Sequence, residues 1–479
     1  MKLPQGFKGS IEDFFSRAGI PLDGFYESFD TDGEKGIRIN RLKVSEDGYE
    51  KILSDLSQKT DPVSWCSSGF YTDGEPSGND PYYHAGVYYP QEPSAMLPGE
   101  VMNVKPGDTV LDLCAAPGGK AVRMGEDLKG EGLLIANEIN ANRAKALLRN
   151  IERMGIENCI ILNETPENLA DKLYGFFDKI LIDAPCSGEG MFRRDPNAVK
   201  SWERFGPDTC IPMQKDILDS ADIMLKTGGE LVYSTCTFCE GEDELQIKDF
   251  MERHPGYSIV PHPEIEGVTH MPDGSMRILP HVNRGDGHYC VHLIKESGSD
   301  REYKTEKLPA YKMKRSDNYG FGKSREAMMS FLKDILTDDA YSHRKERYTR
   351  DFMVRDGNIH IMPLPEQALR GLKTVKTGLY PGEIKTTSTE RLFVPSHSFA
   401  LTLRDEEIRE DRKVSLKRDD ERLMRYLKGE TIDLTEEEKA ALVRNGYIVL
   451  EADVFPVGLG KVSSDGKVKN LYPKAWRIM

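Results

Sequence analysis

Five short apolar runs, separated by glycine-rich turns and amphipathic segments, occupy residues 109–236 and limit the folds open to this chain. The runs are TVLDLC (109–114), LLIANE (133–138), NCIILN (158–163), FDKILIDAP (177–185) and ELVYSTC (230–236). Continuous apolar runs are typical of strands buried on both faces of a sheet. Between them, ANRAKALLRNIERMG keeps its apolar residues on one helical face and ends at Gly155. Strands that alternate with helices predict a parallel α/β sheet.

The first run continues into VLDLCAAPGGK, where Gly118 and Gly119 form a turn before a helix. Glycines here let the backbone approach a ligand closely and let the helix pack on the sheet. The stretch is not a P-loop, because Cys114 and Ala121 stand where that motif needs Gly and Ser/Thr, and it lacks G-x-G-x-x-G. Glu138, at the end of the second run, can accept hydrogen bonds from two ribose hydroxyls. This pattern indicates a nucleoside cofactor, with an ordinary tight turn and a surface glutamate as the alternative.

The fourth run ends in LIDAPCSGEG, at the edge of the sheet where open α/β folds bind ligands. Asp183 can hydrogen-bond the edge of a base, and Cys186 can act as a nucleophile or fill a buried gap. A zinc deaminase is excluded, because its P-C-x-x-C pattern needs a cysteine where Glu189 stands. Its H-x-E element would also have to precede the cysteines, whereas His262-Pro263-Glu264 follows this segment.

The fifth run ends at Cys236 in YSTCTFCEGEDE, three residues before Cys239. A thioredoxin-like pair is a weak interpretation, since redox C-x-x-C pairs open a helix after an early strand. A zinc site needs a second pair at matching spacing, and the sequence has none. The remaining interpretation is thiolate catalysis on a substrate held between two strand ends.

Composition sets the class of protein. At 479 residues the chain is too long for one ordinary core, which predicts roughly two to four domains. Its eight cysteines do not resemble a disulfide framework. No apolar run approaches the ~18 residues of a membrane span, and MKLPQGFKGSIEDFF lacks a signal-peptide core, so we expect a cytoplasmic protein. The net charge of −14 means that any nucleic acid must bind a local basic face.

The flanking regions predict further domains. Ser10 is a candidate helix N-cap, GIRINRLKVS alternates like a strand, and HYCVHLIK (288–295) is a late strand closing the sheet. Residues 296–318 are polar and rich in Lys and Arg, which is typical of a linker, with a basic patch as the alternative. Beyond them lie short strands (NIHIMPL and GYIVLEADVFPVGLGKV) and a charged helix pattern near 404–428. We place the domains at 1–100, 101–298, 299–400 and 401–479.

Three motifs in this order, LDLCAAPGGK, DAPCSGEG and YSTCT, resemble those of the RNA cytosine-5 methyltransferases of the Sun/Fmu type. The upstream RINRLKVS and YYPQEPSAMLP are similar to the segment that precedes the catalytic core in that family, so the resemblance covers roughly residues 36–295. The DAPCSGEG form and the long C-terminal extension most resemble RsmF-type 16S rRNA methyltransferases. The final segment resembles their PUA-like RNA-binding module.

The resemblance implies a binding site for S-adenosyl-L-methionine. In the family, the first motif holds this cofactor, which carries over to Cys114, Ala115, Ala116, Pro117, Gly118, Gly119 and Lys120. Glu138 would hold the ribose. Many relatives have an Asp after the third strand, where this chain has Thr165, so Thr165, Asn163 or Glu164 is the expected third contact, and Asp183 is expected nearby.

The resemblance also implies catalytic roles. Cys236 matches the nucleophile, whose thiolate adds to C6 of cytosine and makes C5 reactive, while Asp183 hydrogen-bonds N3 and the exocyclic amine. Cys186 assists release of the product, and Lys120 supplies positive charge that favours a thiolate. Cys239 has no family role and is expected to be structural.

RNA contacts follow from the same chemistry. The target base must leave any stack to reach the cysteine, which favours single-stranded or loop RNA. Arg193 and Arg194, beside the DAPCSGEG loop, are candidate phosphate contacts, with plain solvent exposure as the alternative.

The sequence thus predicts a Rossmann-like class I methyltransferase core, a small α+β N-terminal domain and a C-terminal α+β extension ending in a PUA-like module. The expected function is formation of 5-methylcytosine in RNA, with 16S rRNA of the small ribosomal subunit as the expected substrate. We expect a monomer that binds no metal. The alternatives are a tRNA or 23S rRNA target, a non-catalytic RNA-binding assembly factor, and a redox protein built on Cys236 and Cys239.

Overall fold

The computed structural model describes residues 3–56, 59–74, 78–296, 319–386, 391–463 and 465–478. Apart from its first residue, the basic segment 296–318 lies outside them, so neither its linker nor its patch interpretation is tested. Across the described residues, no helix has both the length and the apolar character needed to cross a bilayer.

A four-stranded antiparallel sheet in the order β2-β3-β1-β4 forms the N-terminal region. Its elements, with the helix that leads into the next region, are α1 (Gln5–Ala18), β1 (Lys35–Ile39), α2 (Tyr49–Leu56), β2 (Thr60–Pro62), β3 (Gly69–Thr72), α3 (Pro81–His84), β4 (Tyr88–Pro90) and α4 (Leu97–Val101). The N-cap prediction for Ser10 is wrong, because the N-cap of α1 is Pro4 and Ser10 lies inside the helix. The Ser10 hydroxyl instead donates to the Phe7 carbonyl at 3.0 Å.

The second region is a doubly wound sheet, as predicted. Its elements are β5 (Thr109–Asp112), α5 (Gly119–Leu128), β6 (Leu133–Asn137), α6 (Ala141–Arg153), β7 (Cys159–Leu162), α7 (Pro166–Ala170), β8 (Phe177–Asp183), α8 (Pro196–Phe205), α9 (Pro207–Met224), β9 (Leu225–Thr235), α10 (Glu244–Arg253), β10 (Tyr257–Ile259), β11 (Thr269–His270), β12 (Met276–Ile278) and β13 (His288–Lys295). Strands β7, β6, β5, β8 and β9 are parallel in that spatial order, and β13 adds antiparallel to β9. Because this order reverses direction at β5, a ligand crevice opens at the carboxyl ends of β5 and β8.

Alternate residues of the central strands pack into separate apolar layers on the two faces of this sheet. Val110, Leu181 and Val232 lie in the layer that includes α4 and α5, whereas Leu111 and Ile180 lie in the layer that includes α9. Burial on both faces explains why these strands appear in the sequence as continuous apolar runs.

Strand β9 begins earlier than predicted. The predicted run begins at Glu230, but α9 ends at Met224 and β9 starts at Leu225, so the strand includes the pair Gly228-Gly229. The register between β8 and β9 shifts between Phe177 and Lys179, so the glycine pair lies in an irregular stretch of the strand.

The C-terminal region contains two further sheets, with orders β14-β15-β17-β18 and β19-β21-β22-β23-β20. Its elements are α11 (Tyr319–Ile335), α12 (Asp338–Arg350), β14 (Phe352–Arg355), β15 (Asn358–Ile361), β16 (Thr374–Lys376), β17 (Leu379–Thr386), β18 (Arg391–Pro395), α13 (His397–Ala400), β19 (Lys413–Leu416), α14 (Glu421–Leu427), β20 (Ile432–Asp433), α15 (Glu436–Ala441), β21 (Gly446–Ala452), β22 (Phe455–Val462) and β23 (Lys467–Asn470). The predicted helix over 404–428 is wrong, because β19 pairs in parallel with β21 and leaves only the short α14. Strand β16 extends the central sheet by pairing antiparallel with β7.

Two histidines, buried His84 and half-buried His397, lie beside Tyr472 where the N-terminal and C-terminal regions meet. The Tyr472 hydroxyl lies 2.7 Å from Nδ1 of His84, and the Tyr472 ring contacts the His397 ring at a centroid distance of 4.9 Å. Both ring nitrogens of His397 are buried without a hydrogen-bond partner among the described residues. Burial lowers the pKa of His84 to about 4 and that of His397 to about 3, so both are neutral at pH 7.

These histidines predict a loss of stability in mild acid. The unfolded chain binds their protons below about pH 6.5 and the folded chain does not, so stability is lost as the pH falls from 6.5 towards 4. At pH 5 one such histidine costs about 2 kcal/mol. We expect His397→Phe, which keeps an aromatic ring, to lose less thermal stability than the wild type between pH 7 and pH 5. Thermal melts at both values measure this, and parallel losses would contradict it.

Candidate active site

The loop between β5 and α5 is held by side chains that bind its carbonyls. Arg143 donates to the Ala116 carbonyl at 2.6 Å, Asn150 to Pro117 at 2.8 Å and Arg38, from β1, to Gly119 at 3.0 Å. Gly118 has φ +120°, and a Cβ there would lie 3.1 Å from Leu147, so this turn needs glycine. The loop therefore presents its backbone to the crevice in a fixed conformation. The Cys114 thiol is partly buried beside it, and burial raises its pKa.

Asp112, the last residue of β5, is a site residue that sequence reasoning missed. Its side chain is buried, and neither carboxylate oxygen has a hydrogen-bond partner among the described residues. Burial, reinforced by the negative charge of Asp183, raises its pKa to about 8. Its position at the end of the first strand was the signal that could have identified it.

Glu138 lies just beyond β6 with a buried side chain. Its Oε1 accepts from the Asn140 amide at 2.8 Å, and its Oε2 lies 3.4 Å from Arg143. Ile139, which follows it, is 63% exposed, so a large apolar side chain stands at the mouth of the crevice.

The three candidates for a third cofactor contact all make local contacts. The Asn163 amide donates to the carbonyls of Glu138 at 2.7 Å and Ile139 at 2.8 Å. Glu164 accepts from the Asn168 side chain at 2.7 Å, and Thr165 caps α7 by accepting from the Asn168 amide at 3.3 Å. Which of them meets a ligand stays a prediction.

An ion pair links the first motif to the fourth strand. Lys120 Nζ lies 2.7 Å from Asp183 Oδ2, and the Ser234 hydroxyl donates to Asp183 Oδ1 at 3.1 Å. Burial alone would raise the pKa of Asp183, but the charge of Lys120 and the hydrogen bonds from Lys120 and Ser234 hold it below its ordinary value. This carboxylate is therefore ionised at the edge of the crevice.

His288 is a second residue that sequence reasoning missed, because it seemed only to begin a strand. It is 3% exposed, and its Nε2 lies 3.8 Å from Asp183 Oδ1 without a hydrogen-bond partner among the described residues. Burial lowers its pKa to about 3, so the imidazole is neutral.

The two motif cysteines meet at the ends of adjacent parallel strands. Cys186 Sγ lies 3.3 Å from Cys236 Sγ, close enough for one thiol to donate to the other. This hydrogen bond, together with burial, raises the pKa of Cys186 well above its ordinary value. The two sulfurs are not joined by a disulfide.

Two other predictions concern neighbouring residues. The phosphate-contact prediction is wrong for Arg193, whose side chain is 5% exposed and lies 2.5 Å from Asp286. Arg194 also pairs with Asp286. Cys239 is partly buried, and its amide donates to the Thr237 hydroxyl at 3.4 Å. The described residues contain no group of three or more His, Cys, Asp or Glu side chains arranged to hold a metal ion.

Comparison with protein families matches nearly the whole chain. The model described as 16S rRNA methyltransferase RsmB/F matches residues 100–294. The N-terminal domain of 16S rRNA methyltransferase RsmF matches 3–93, the first C-terminal domain of the RsmF rRNA methyltransferase matches 330–403, and the methyltransferase RsmF PUA domain matches 413–478.

Named relatives agree with this match. Ribosomal RNA small subunit methyltransferase F of Shewanella amazonensis is 30% identical over 485 residues, which cover 97% of this chain and 94% of that protein. The protein of the same name from Shewanella piezotolerans is 32% identical over 340 residues, which cover 68% and 67%.

Solved structures agree on the fold. A methyltransferase homolog protein from Pyrococcus horikoshii is 26% identical with a TM-score of 0.51, over 61% of this chain and all 100% of that one. NSun6 from Pyrococcus horikoshii with SFG has a TM-score of 0.53 at 22% identity, covering 61% and 98%, and supports the fold alone. The predicted Rossmann-like core and PUA module are confirmed. By sequence match across its length, this chain belongs to the RsmF family of S-adenosylmethionine-dependent 16S rRNA methyltransferases.

Proposed function

We propose that this chain methylates C5 of a cytosine in 16S rRNA, with Cys236 as the covalent nucleophile. The observation that carries the proposal is the 3.3 Å contact between Cys186 and Cys236 at two adjacent strand ends, beside the Lys120–Asp183 ion pair. A protein that only binds RNA needs neither thiol. A redox pair of Cys236 with Cys239 is less well supported, because the sulfur that lies 3.3 Å from Cys236 Sγ is that of Cys186.

The crevice fits S-adenosylmethionine. Within the part of the chain that the structure describes, neither side-chain oxygen of buried Asp112 has a hydrogen-bond partner, which suits a donor such as the amino group of the methionine moiety. The loop from Cys114 to Gly118 follows β5 at the carboxyl edge of the sheet, Glu138 follows β6 with a carboxylate that can accept from ribose hydroxyls, and exposed Ile139 suits the face of an adenine. When bound, the cofactor supplies an electrophilic methyl group on a sulfonium. Lys120 and Asp183 lie between this loop and the cysteines.

Cys236 supplies the activation that a cytosine lacks. Its thiolate forms a bond to C6, and the electrons of the C5–C6 double bond then make C5 nucleophilic enough to accept a methyl group. The reaction needs an unstacked base, so the chain must take its target from a loop or a single strand.

Asp183 holds the ring during this addition. Its ionised carboxylate can accept a hydrogen bond from the exocyclic amine, which orients the base for attack at C6. Lys120 and Ser234 fix its orientation through contacts of 2.7 Å and 3.1 Å.

Cys186 completes the cycle. Since its pKa is raised by the contact with Cys236 and by burial, Cys186 stays protonated as a thiol. In product release, solvent water takes the proton from C5, the electrons of that C–H bond re-form the C5–C6 double bond, and the bond from C6 to the Cys236 sulfur breaks so that the sulfur leaves as a thiolate. A thiol at 3.3 Å is placed to protonate the departing thiolate.

The matched PUA domain and the relatives' names support RNA as the partner. The choice of 16S rRNA over tRNA or 23S rRNA rests on those names. Cytoplasmic location, a monomeric state, a metal-free site and the four domain limits stay predictions.

A trapped RNA tests the covalent step. In a 16S transcript that contains 5-fluorocytidine, fluorine replaces the proton that must leave C5, so the adduct cannot resolve. With wild-type protein and S-adenosylmethionine, we expect a denaturant-resistant RNA–protein band, with Cys236 in the modified peptide. Methylation of ordinary transcript without any such band would contradict the covalent mechanism.

A further inference from the structure

A buried carboxylate on the Cys186 loop holds the Cys236 loop. Glu189, three residues after Cys186, is 1% exposed. Its Oε2 accepts from the Phe238 amide at 3.0 Å, two residues after Cys236, and its Oε1 accepts from Trp202 Nε1 on α8 at 2.9 Å. The side chain therefore joins one cysteine loop to the other and to a helix.

A second buried carboxylate makes the reverse contact. Glu242, on the segment after Cys236, is fully buried. Its Oε2 accepts from the Ser187 amide at 2.9 Å, next to Cys186, and from the Gln214 side chain on α9 at 2.8 Å. Glu189 on the Cys186 loop thus binds the amide two residues after Cys236. Glu242 on the Cys236 loop binds the amide next to Cys186.

Two further hydrogen bonds join the Cys186 loop to the Cys236 loop. The hydroxyls of Ser187 and Thr237 lie 2.8 Å apart, and the Gly190 amide donates to the Cys236 carbonyl at 2.9 Å. A Cβ on Gly190 would lie 2.9 Å from the same carbonyl, so only glycine permits this approach.

Burying a carboxylate without a paired positive charge costs folding free energy. Within the described residues, no Lys, Arg or His forms an ion pair with Glu189 or Glu242, and burial raises the pKa of both, to about 7 for Glu189. At Glu189 both partners are pure donors, bound to different oxygens. Glutamine would turn its NH₂ towards one of them, so only a carboxylate serves both.

We propose that Glu189 and Glu242 are positioning residues that set the distance between the two catalytic sulfurs, Glu189 by holding the Cys236 loop and Glu242 by holding the Cys186 loop. This rests on the proposed covalent mechanism. It predicts opposite kinetic defects, because one loop carries the group that forms the adduct and the other carries the group that resolves it.

Adduct partition, meaning the rate at which the RNA–protein adduct forms and the fraction of protein held in it at steady state, tests the proposal. Glu189→Gln, in a Cys186→Ala background that retains the adduct, should form it about tenfold more slowly, as expected for one lost hydrogen bond to a charged group. Glu242→Ala alone should raise the steady-state fraction of adduct about tenfold. Glu242→Gln keeps an oxygen for both donors and should move this fraction back towards the wild-type value. Glu240→Gln is the matched control, since it changes a partly buried carboxylate on the same loop that pairs with Arg17 and, among the described residues, contacts neither cysteine loop's amides.

A second measurement does not depend on RNA chemistry. Diamide takes up the two thiol hydrogens as a disulfide forms, so the rate of Cys186–Cys236 cross-linking reports how often the sulfurs meet. We expect about tenfold slower cross-linking in Glu189→Gln and Glu242→Ala than in the wild type and Glu240→Gln. Peptide mapping under non-reducing conditions identifies the bond, and thermal melts show whether the variants are folded.

The outcomes separate the two proposals. Unchanged cross-linking in folded Glu189→Gln and Glu242→Ala would overturn the positioning role, as would equal loss of activity in both without a change in adduct partition. If neither Cys186→Ala on ordinary RNA nor the wild type on 5-fluorocytidine RNA forms an adduct, the covalent mechanism fails, whatever the cross-linking rates are.

Discussion

Replacing Cys236 with alanine is expected to abolish methylation of 16S rRNA, with a loss of roughly 10³-fold or more, because no other group activates C5. The binding of S-adenosylmethionine should be unchanged, since its expected contacts from Cys114 to Lys120 and at Glu138 lie on other strands. Incorporation of labelled methyl groups into RNA measures the first quantity, and calorimetric titration of the cofactor measures the second.

The matched control for this variant is Cys239→Ser. Cys239 lies three residues further along the same loop. The Cys186 sulfur contacts the sulfur of Cys236, whereas Cys239 binds Thr237 through its amide, so activity should stay close to that of the wild type. Equal losses in Cys236→Ala and Cys239→Ser would favour a redox pair and refute the assignment of the nucleophile.

Cys186→Ala should retain the first half of the reaction and lose the second. The Cys236 sulfur can still add to C6, but the thiol that lies 3.3 Å away to receive the departing sulfur is gone. We expect turnover to fall about 10²-fold or more, the range for loss of a proton-transfer group, while an RNA–protein adduct accumulates on ordinary RNA.

A denaturing gel shows this adduct, and it should vanish in the Cys186→Ala, Cys236→Ala double variant. Bisulfite sequencing of the trapped RNA identifies the cytosine. Normal turnover in Cys186→Ala without an adduct would show that another group releases the product, leaving Cys186 with a packing role.

Local patterns were sufficient for the order of elements in the catalytic core. Buried strands need apolar residues on both faces, so the runs ending at Asp112, Asn137, Leu162, Asp183 and Thr235 are visible without a structure. The motif residues lie at the carboxyl ends of these strands, where a doubly wound sheet binds ligands. Outside the core, local patterns failed at 404–428, where pairing of β19 with β21 overrides a helical distribution of charges.

The sequence by itself determined the fold class, the family and which cysteines end neighbouring strands, because these depend on residue type and on order along the chain. Only the tertiary structure decided which side chains meet: Lys120 with Asp183, Cys186 with Cys236, and Glu189 and Glu242 each with the opposite loop. It also assigned Arg193 to Asp286 instead of to solvent. The physical reason is that a contact such as that between Glu242 and the Ser187 amide joins residues far apart in the chain. Its free energy depends on burial and on the direction of donors, neither of which a one-dimensional pattern contains.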